Sequence, residues 1–243
     1  MRRVGFVLLA SIALIGSAAA ADMPIKAPVY KAPVVAPPYN WSGIYVGGHI
    51  GGGWSNVDIS DPTGAVFAPL GSTIGLNGNS LLGGGQIGFN WQSGHLVLGA
   101  QGDLAWAHMN ASTIDPFIPT MTLSYKTDWI GMLTGRAGYA WDNWLLYAKG
   151  GAAWVHSNYS AVDPAFLRVG VNVSGSGTQS GWIAGGGLEY GLTPNWTLFA
   201  EYDYIGLGTH GVTMTGGGAT IAANVKQKIS IVKGGINFKF NAF

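Results

Sequence analysis

The chain has 243 residues, of which 48% are hydrophobic and only 9% charged, with a formal net charge of +1 and no cysteine. Soluble domains carry roughly a quarter charged residues; the near-zero charge and the lack of a basic cluster argue against a nucleic-acid partner, and no disulfide can brace the fold. A mean hydropathy of +0.26 calls for apolar surroundings, yet beyond the N-terminal segment no run of about 18 apolar residues could cross a bilayer as a helix.

At the N-terminus, Met1-Arg2-Arg3 is basic, 4–20 is apolar, and Ala18-Ala19-Ala20-Ala21 places small residues ahead of Asp22. This is the layout of a secretory signal peptide over 1–21, with cleavage expected after Ala21. Residues 22–40 carry Pro24, Pro28, Pro33, Pro37 and Pro38 among Ala, Val and Lys, the composition of an extended linker. Its role as a plain periplasmic spacer, or as a contact for peptidoglycan or another periplasmic partner, is open.

From Trp41 the pattern becomes Gly- and aromatic-rich strands, expected at 43–54, 79–91, 95–107, 126–141, 144–156, 179–192, 196–207 and 226–240. Three connections are short and have hairpin chemistry: Gln92-Ser93-Gly94, Asp142-Asn143 and Thr193-Pro194-Asn195. The other four, 55–78, 108–125, 157–178 and 208–225, are long and polar. Alternation of short turns with long loops is the asymmetry of outer-membrane barrels, which keep their short turns in the periplasm. The expected fold is therefore all-β: an eight-stranded antiparallel up-and-down transmembrane barrel over 41–243, with long connections outside and both mature termini in the periplasm.

Successive strand residues point to opposite faces, so alternation assigns lipid and lumen. Leu96, Leu98, Leu104 and Trp106 alternate with Gln101 and Asp103, and Trp196, Leu198, Ala200 and Tyr202 with Thr197, Glu201 and Asp203. A cation at the lipid-facing midplane costs roughly 2–4 kcal/mol, so the charges belong inside. The lumen set is Asp103, Asp128, Arg136, Lys149, Glu189, Glu201, Asp203, Lys233 and Lys239. Arg136 is expected to pair with Glu201, Asp203 or Asp103, because its planar fork suits carboxylates. Trp91, Trp141, Trp144 and Trp196 fall at the short turns and Trp106, Trp129, Trp154 and Trp182 toward the opposite ends, giving two aromatic girdles.

Catalytic material is sparse. His49, His95, His108, His156 and His210 have no metal-ligand spacing and no nucleophile motif. His156 beside Ser157 cannot pair readily, since neighbours on a strand face opposite ways. The glycine runs 51–53, 83–85 and 185–187 lie inside strands rather than ahead of a helix, so they permit bends and close strand approach instead of holding phosphate. No enzyme, cofactor or metal site is expected. Two functions stay open, because both need a polar lumen: a structural or surface-interaction protein with a side-chain-filled interior, and a small, weakly selective porin-like channel.

The segments Asn40-Trp41-Ser42-Gly43-Ile44-Tyr45-Val46-Gly47-Gly48, Gly135-Arg136-Ala137-Gly138-Tyr139-Ala140, Leu146-Tyr147-Ala148-Lys149-Gly150-Gly151, Glu201-Tyr202-Asp203-Tyr204 and Gly235-Ile236-Asn237-Phe238-Lys239-Phe240 together resemble the small alpha-proteobacterial outer-membrane barrels known as porin-family or outer-membrane immunogenic proteins. The resemblance spans nearly the whole chain. It implies an eight-stranded barrel in the outer membrane, surrounded by lipid and lipopolysaccharide, with antigenic external loops. It also implies a C-terminal aromatic signal read by the barrel-assembly machinery, for which Phe238, Phe240 and Phe243 are the candidates.

Overall fold

The computed structural model describes residues 38–61, 72–164, 170–217 and 219–240. The expected signal peptide, most of the Pro-rich linker and Phe243 lie outside them. Eight strands follow one another: β1 (Gly43–Ser60), β2 (Ile74–Ser93), β3 (Leu96–Ile114), β4 (Thr122–Trp141), β5 (Trp144–Asp163), β6 (Val171–Thr193), β7 (Trp196–Gly216) and β8 (Ala219–Lys239). Each pairs antiparallel with the next, and β1 pairs with β8 to close the barrel. Closure leaves no unpaired strand edge, the condition for a sheet to survive in hydrocarbon.

The short connections are two residues each: Gly94-His95, Asp142-Asn143 and Pro194-Asn195. Gln92, Ser93 and Thr193, expected in turns, are the last residues of their strands. Gly94 and Asp142 take positive φ, 59° and 47°, as tight hairpins require. Each turn is also tied sideways to the neighbouring strand. The His95 ring Nδ1 is 2.8 Å from the Ala140 carbonyl oxygen, the Asn143 amide nitrogen donates to the Gly191 carbonyl at 3.1 Å, and that of Asn195 to the Lys239 carbonyl at 2.8 Å.

The strands are longer than expected. They run 18–23 residues and absorb much of the four segments read as external loops. At about 3.3 Å per residue and the usual tilt, 20 residues rise roughly 50 Å, about twice the apolar band of an outer-membrane barrel. Amphipathicity inverts along the wall. In the half next to the short turns, Ile44, Val46, Phe89, Leu98, Leu133, Leu146, Leu198 and Ile236 point outward and are exposed. In the far half, Val57, Ile59, Leu76, Leu123, Tyr159, Val173, Met214 and Val225 point inward and form a buried cluster, while Asn56, Asp58, Asn77, Asn158 and Ser174 face out. The near half is built for lipid, and the far half like a water-soluble barrel.

This inversion makes a direct prediction. Asn56→Cys and Asp58→Cys, made separately in the cysteine-free chain, should react with a membrane-impermeant maleimide on whole cells. Val57→Cys and Ile59→Cys should resist. Equal labelling at all four positions would mean a loop.

Candidate functional site: the lumen

Near the short turns the barrel mouth is closed by the chain entering β1. Trp41 is 1% exposed and Tyr39 8%, packed with Val97, Ala140, Leu145 and Tyr147. Their two rings stand 4.5 Å apart. The backbone is held as well: Trp41 N–H donates to the Gln92 side-chain oxygen at 2.7 Å and Tyr39 N–H to the Asp142 carbonyl at 3.3 Å. Tyr39, expected at the end of a linker, is thus part of the barrel plug.

Above this plug, β1, β3, β5, β7 and β8 send charged side chains inward to one point. The Lys233 ammonium lies 2.5 Å from Asp103 Oδ2, 3.2 Å from Glu201 Oε1 and 3.4 Å from Asp203 Oδ2. Lys149 bridges the same two β7 acids, at 2.6 Å to Glu201 and 3.1 Å to Asp203. His49 Nε2 is 3.2 Å from Asp103 Oδ2. These side chains are at most 1% exposed. Glycines make the room. A Cβ on Gly185 would stand 2.2 Å from Asp203 Oδ1, one on Gly187 2.6 Å from the Tyr147 hydroxyl, and one on Gly51 2.8 Å from Lys233 Cβ. Gly185 therefore clears space for a charged side chain, while Gly51 and Gly84 first meet the backbone carbonyls of Val232 and Leu104 and so permit close strand approach.

Nearer the plug, Arg136 forms a second centre. Its Nη2 is 3.0 Å from Glu189 Oε2, its Nε donates to Asn90 Oδ1 at 2.9 Å, and its guanidinium lies between the rings of Tyr45 and Tyr147, 5.0 and 4.7 Å from their centroids. Glu189 also accepts from Thr197 Oγ1 at 2.5 Å and Asn237 Nδ2 at 2.8 Å. Gln86 then donates to Asn237, Gln101 to Gln86 and the Tyr45 hydroxyl to Gln101, at 2.7, 3.1 and 2.8 Å. The Tyr147 hydroxyl donates to Glu201 Oε2 at 2.7 Å and links the two centres. Three cations and four carboxylates, with His49 alongside, share one buried layer. In such surroundings a charge persists only when paired and hydrogen-bonded.

On the far side of the charges comes an inward apolar layer that includes Leu82, Ala105, Met109, Ile130, Met132, Val155, Ile183, Ile205, Leu207, Ile229 and Ile231. A thin polar tier follows. Thr127 and Ser157 hydroxyls meet at 2.9 Å, Gln227 donates to Ser55 at 3.1 Å, and Gln179 to the Tyr159 hydroxyl at 3.1 Å. The apolar cluster of the far half completes the stack.

Of the nine charges read into the lumen, the structure brings seven together: Asp103, Arg136, Lys149, Glu189, Glu201, Asp203 and Lys233. Lys239 sits at the mouth instead, its ammonium 4.3 Å from the Tyr39 ring centroid and bonded to the Asn40 carbonyl. Asp128 is a correction. A register shift between Thr127 and Trp129 turns it off the inner face, and it pairs on the outer wall with Lys126 at 3.1 Å and with the Asn158 amide. A bulge adds one residue to one strand and reverses the alternation beyond it. The expected partners of Arg136 are corrected too: it binds Glu189, while Lys149 and Lys233 occupy Glu201, Asp203 and Asp103. In register, Lys149 opposes Gly185 and Gly185 opposes Asp203, so Lys149 reaches the β7 acids across a strand with no side chain. His49, Tyr45 and Asn90 had no lumen assignment from the sequence, although period-2 alternation from Gly43 turns Tyr45 and His49 inward.

His156 stacks on Trp129 outside, with ring centroids 5.8 Å apart, and Ser157 points inward, so the two do not form a catalytic pair. Outward tryptophans stand at both ends of the lipid-facing half: Trp91, Trp141, Trp144 and Trp196 near the short turns, and Trp54, Trp106, Trp154 and Trp182 opposite.

An antiparallel closed barrel with an apolar outer belt between aromatic girdles and a polar interior is an outer-membrane protein. The chain belongs to the family described as outer membrane protein beta-barrel domain, whose model matches residues 6–239. It is 31% identical to the 31 kDa outer-membrane immunogenic protein of Brucella melitensis over 96% of this chain and 99% of that one. It is 28% identical to the 25 kDa outer-membrane immunogenic protein of Brucella abortus over 99% and 100%. Among solved structures it is similar to the outer membrane protease OmpT of Escherichia coli, with a TM-score of 0.51 and 9% identity, covering 85% of this chain and 99% of that one. At that identity the likeness concerns the fold alone.

Proposed function

We propose that the barrel is a closed structural and surface-interaction protein of the outer membrane, whose lumen is a packed core instead of a conduit. The observation that carries this reading is the stack of Trp41, the ion-paired layer and two apolar layers across the lumen, with Arg136 4%, Lys149 6% and Lys233 2% exposed. A narrow eight-stranded barrel has an interior just wide enough for side chains to fill. An ion crossing it would have to shed its hydration shell at the apolar layer and displace paired charges at the next. The far half, standing above the lipid with Ser, Asn and Thr outward, then presents the working surface, in keeping with relatives named for their immunogenicity.

Lipid vesicles carrying the refolded protein provide the test. They should swell in an isotonic solution of a small sugar no faster than protein-free vesicles. Swelling that scales with the amount of protein would favour the porin-like alternative.

A further inference from the structure

Outward-facing charges are scarce among the described residues, and they are unevenly placed. Lys126 is neutralised by Asp128 at 3.1 Å. On the opposite wall Lys226 and Lys228 both point outward from β8 and are exposed, and among the described residues no carboxylate is within ion-pairing distance of either. They stand two residues apart on one face, so about 6.6 Å along the strand. Asp58 lies opposite Lys226 in register without forming an ion pair.

Register also gives their height. Ser230 is flanked by Trp54 of β1 and Tyr204 of β7, both rings of the far girdle, and Tyr204 packs on Trp182 at 5.4 Å. One step outward, Lys228 is flanked by Asn56 and Gly206; at the next step Lys226 is flanked by Asp58 and Thr209. The neighbours of Lys228 are thus small or uncharged. Girdle rings sit at headgroup level, so the two ammonium groups lie just outside it, where the anionic groups of the outer leaflet are.

We propose that Lys226 and Lys228, with the Trp54, Tyr204 and Trp182 shelf beneath them, bind the phosphate groups of a lipopolysaccharide molecule against the β7–β8–β1 wall. The rings meet the acyl chains and glucosamine edge, and the two ammonium groups take the phosphates. The β3–β6 wall, whose one outward lysine among the described residues is neutralised, does not share this contact. The proposal is independent of whether the lumen conducts.

Refolded full chain, titrated with phosphorylated and with dephosphorylated lipopolysaccharide, tests it. The phosphorylated form should bind roughly 10- to 30-fold tighter, the strength of two basic residues at an anionic surface. Lys226→Gln with Lys228→Gln should abolish that difference, Lys226→Arg with Lys228→Arg should keep it, and Lys126→Gln should leave it within about 2-fold, as expected for an already paired lysine. Equal binding of the two lipopolysaccharide forms by the unaltered chain would overturn the proposal without any variant having to fold. So would equally tight binding to phosphatidylglycerol vesicles, or a loss with Lys126→Gln as large as with the β8 pair.

Discussion

Arg136→Ala should lower the unfolding free energy of the refolded barrel by about 3–5 kcal/mol, the usual cost of stripping one partner from a buried ion pair. The substitution leaves Glu189 buried with only Thr197 and Asn237 to satisfy it, leaves Asn90 Oδ1 without its donor, and empties the slot between the Tyr45 and Tyr147 rings. Urea titration of the detergent-refolded protein reads the loss. Arg136→Met combined with Glu189→Gln should recover much of it, since a buried pair replaced by uncharged groups of similar size is often neutral. A water-filled lumen would screen the lost charge, and Arg136→Ala would then leave the urea midpoint nearly unchanged.

Lys233→Ala should be at least as damaging. One ammonium approaches Asp103, Glu201 and Asp203. Its removal leaves Lys149 as the one lysine beside three carboxylates, and the cavity lies where two apolar layers keep water scarce. A loss of about 3–5 kcal/mol or failure to refold is expected. Because refolding failure has many causes, the diagnostic variant is Lys233→Met with Asp103→Asn, which removes one charge of each sign and should refold with most of the lost stability restored. If the double variant is no better than Lys233→Ala, the charge coupling assigned to this cluster is wrong.

Strand number, the three short turns and the lipid-facing faces were legible in the sequence because each depends on local pattern. Leu98, Ala100 and Leu104 alternate with Gln101 and Asp103 whatever the neighbouring strands do. The strand ends were not legible. From about residue 55 the inward positions become apolar and the outward ones Ser, Asn and Thr, so a reader following an apolar outer face sees it stop and infers a loop. Val57, Ile59, Val173, Met214 and Val225 carried the opposite signal on the other face. Asp128 was misplaced for a related reason: alternation counts residues, and a bulge adds one without a marker in composition. The pairing of Arg136 with Glu189 was out of reach because it depends on register between strands, and on which glycines let Lys149 reach past β6. The plug was masked by its neighbours, since Tyr39 follows a proline pair and reads as linker until the Trp41 side chain is seen buried among Val97 and Leu145.

The lipid-facing half and the far half have separate requirements, and the lumen joins them. Burying three cations beside four carboxylates is not an efficient way to stabilise a protein, because desolvation offsets most of the attraction. The arrangement does fix how eight strands register around the axis, since a slip of one residue on β4, β6 or β8 would turn Arg136, Glu189 or Lys233 toward lipid. Charge pairing here is therefore better understood as specifying closure than as adding stability.

Planar-bilayer recording of the refolded protein tests the closed lumen most directly. With the ion-paired layer held between Trp41 and the apolar layers, the expected record is a flat baseline in concentrated salt across the voltage range a bilayer tolerates. Reproducible single-channel steps whose frequency follows the amount of protein added would contradict it.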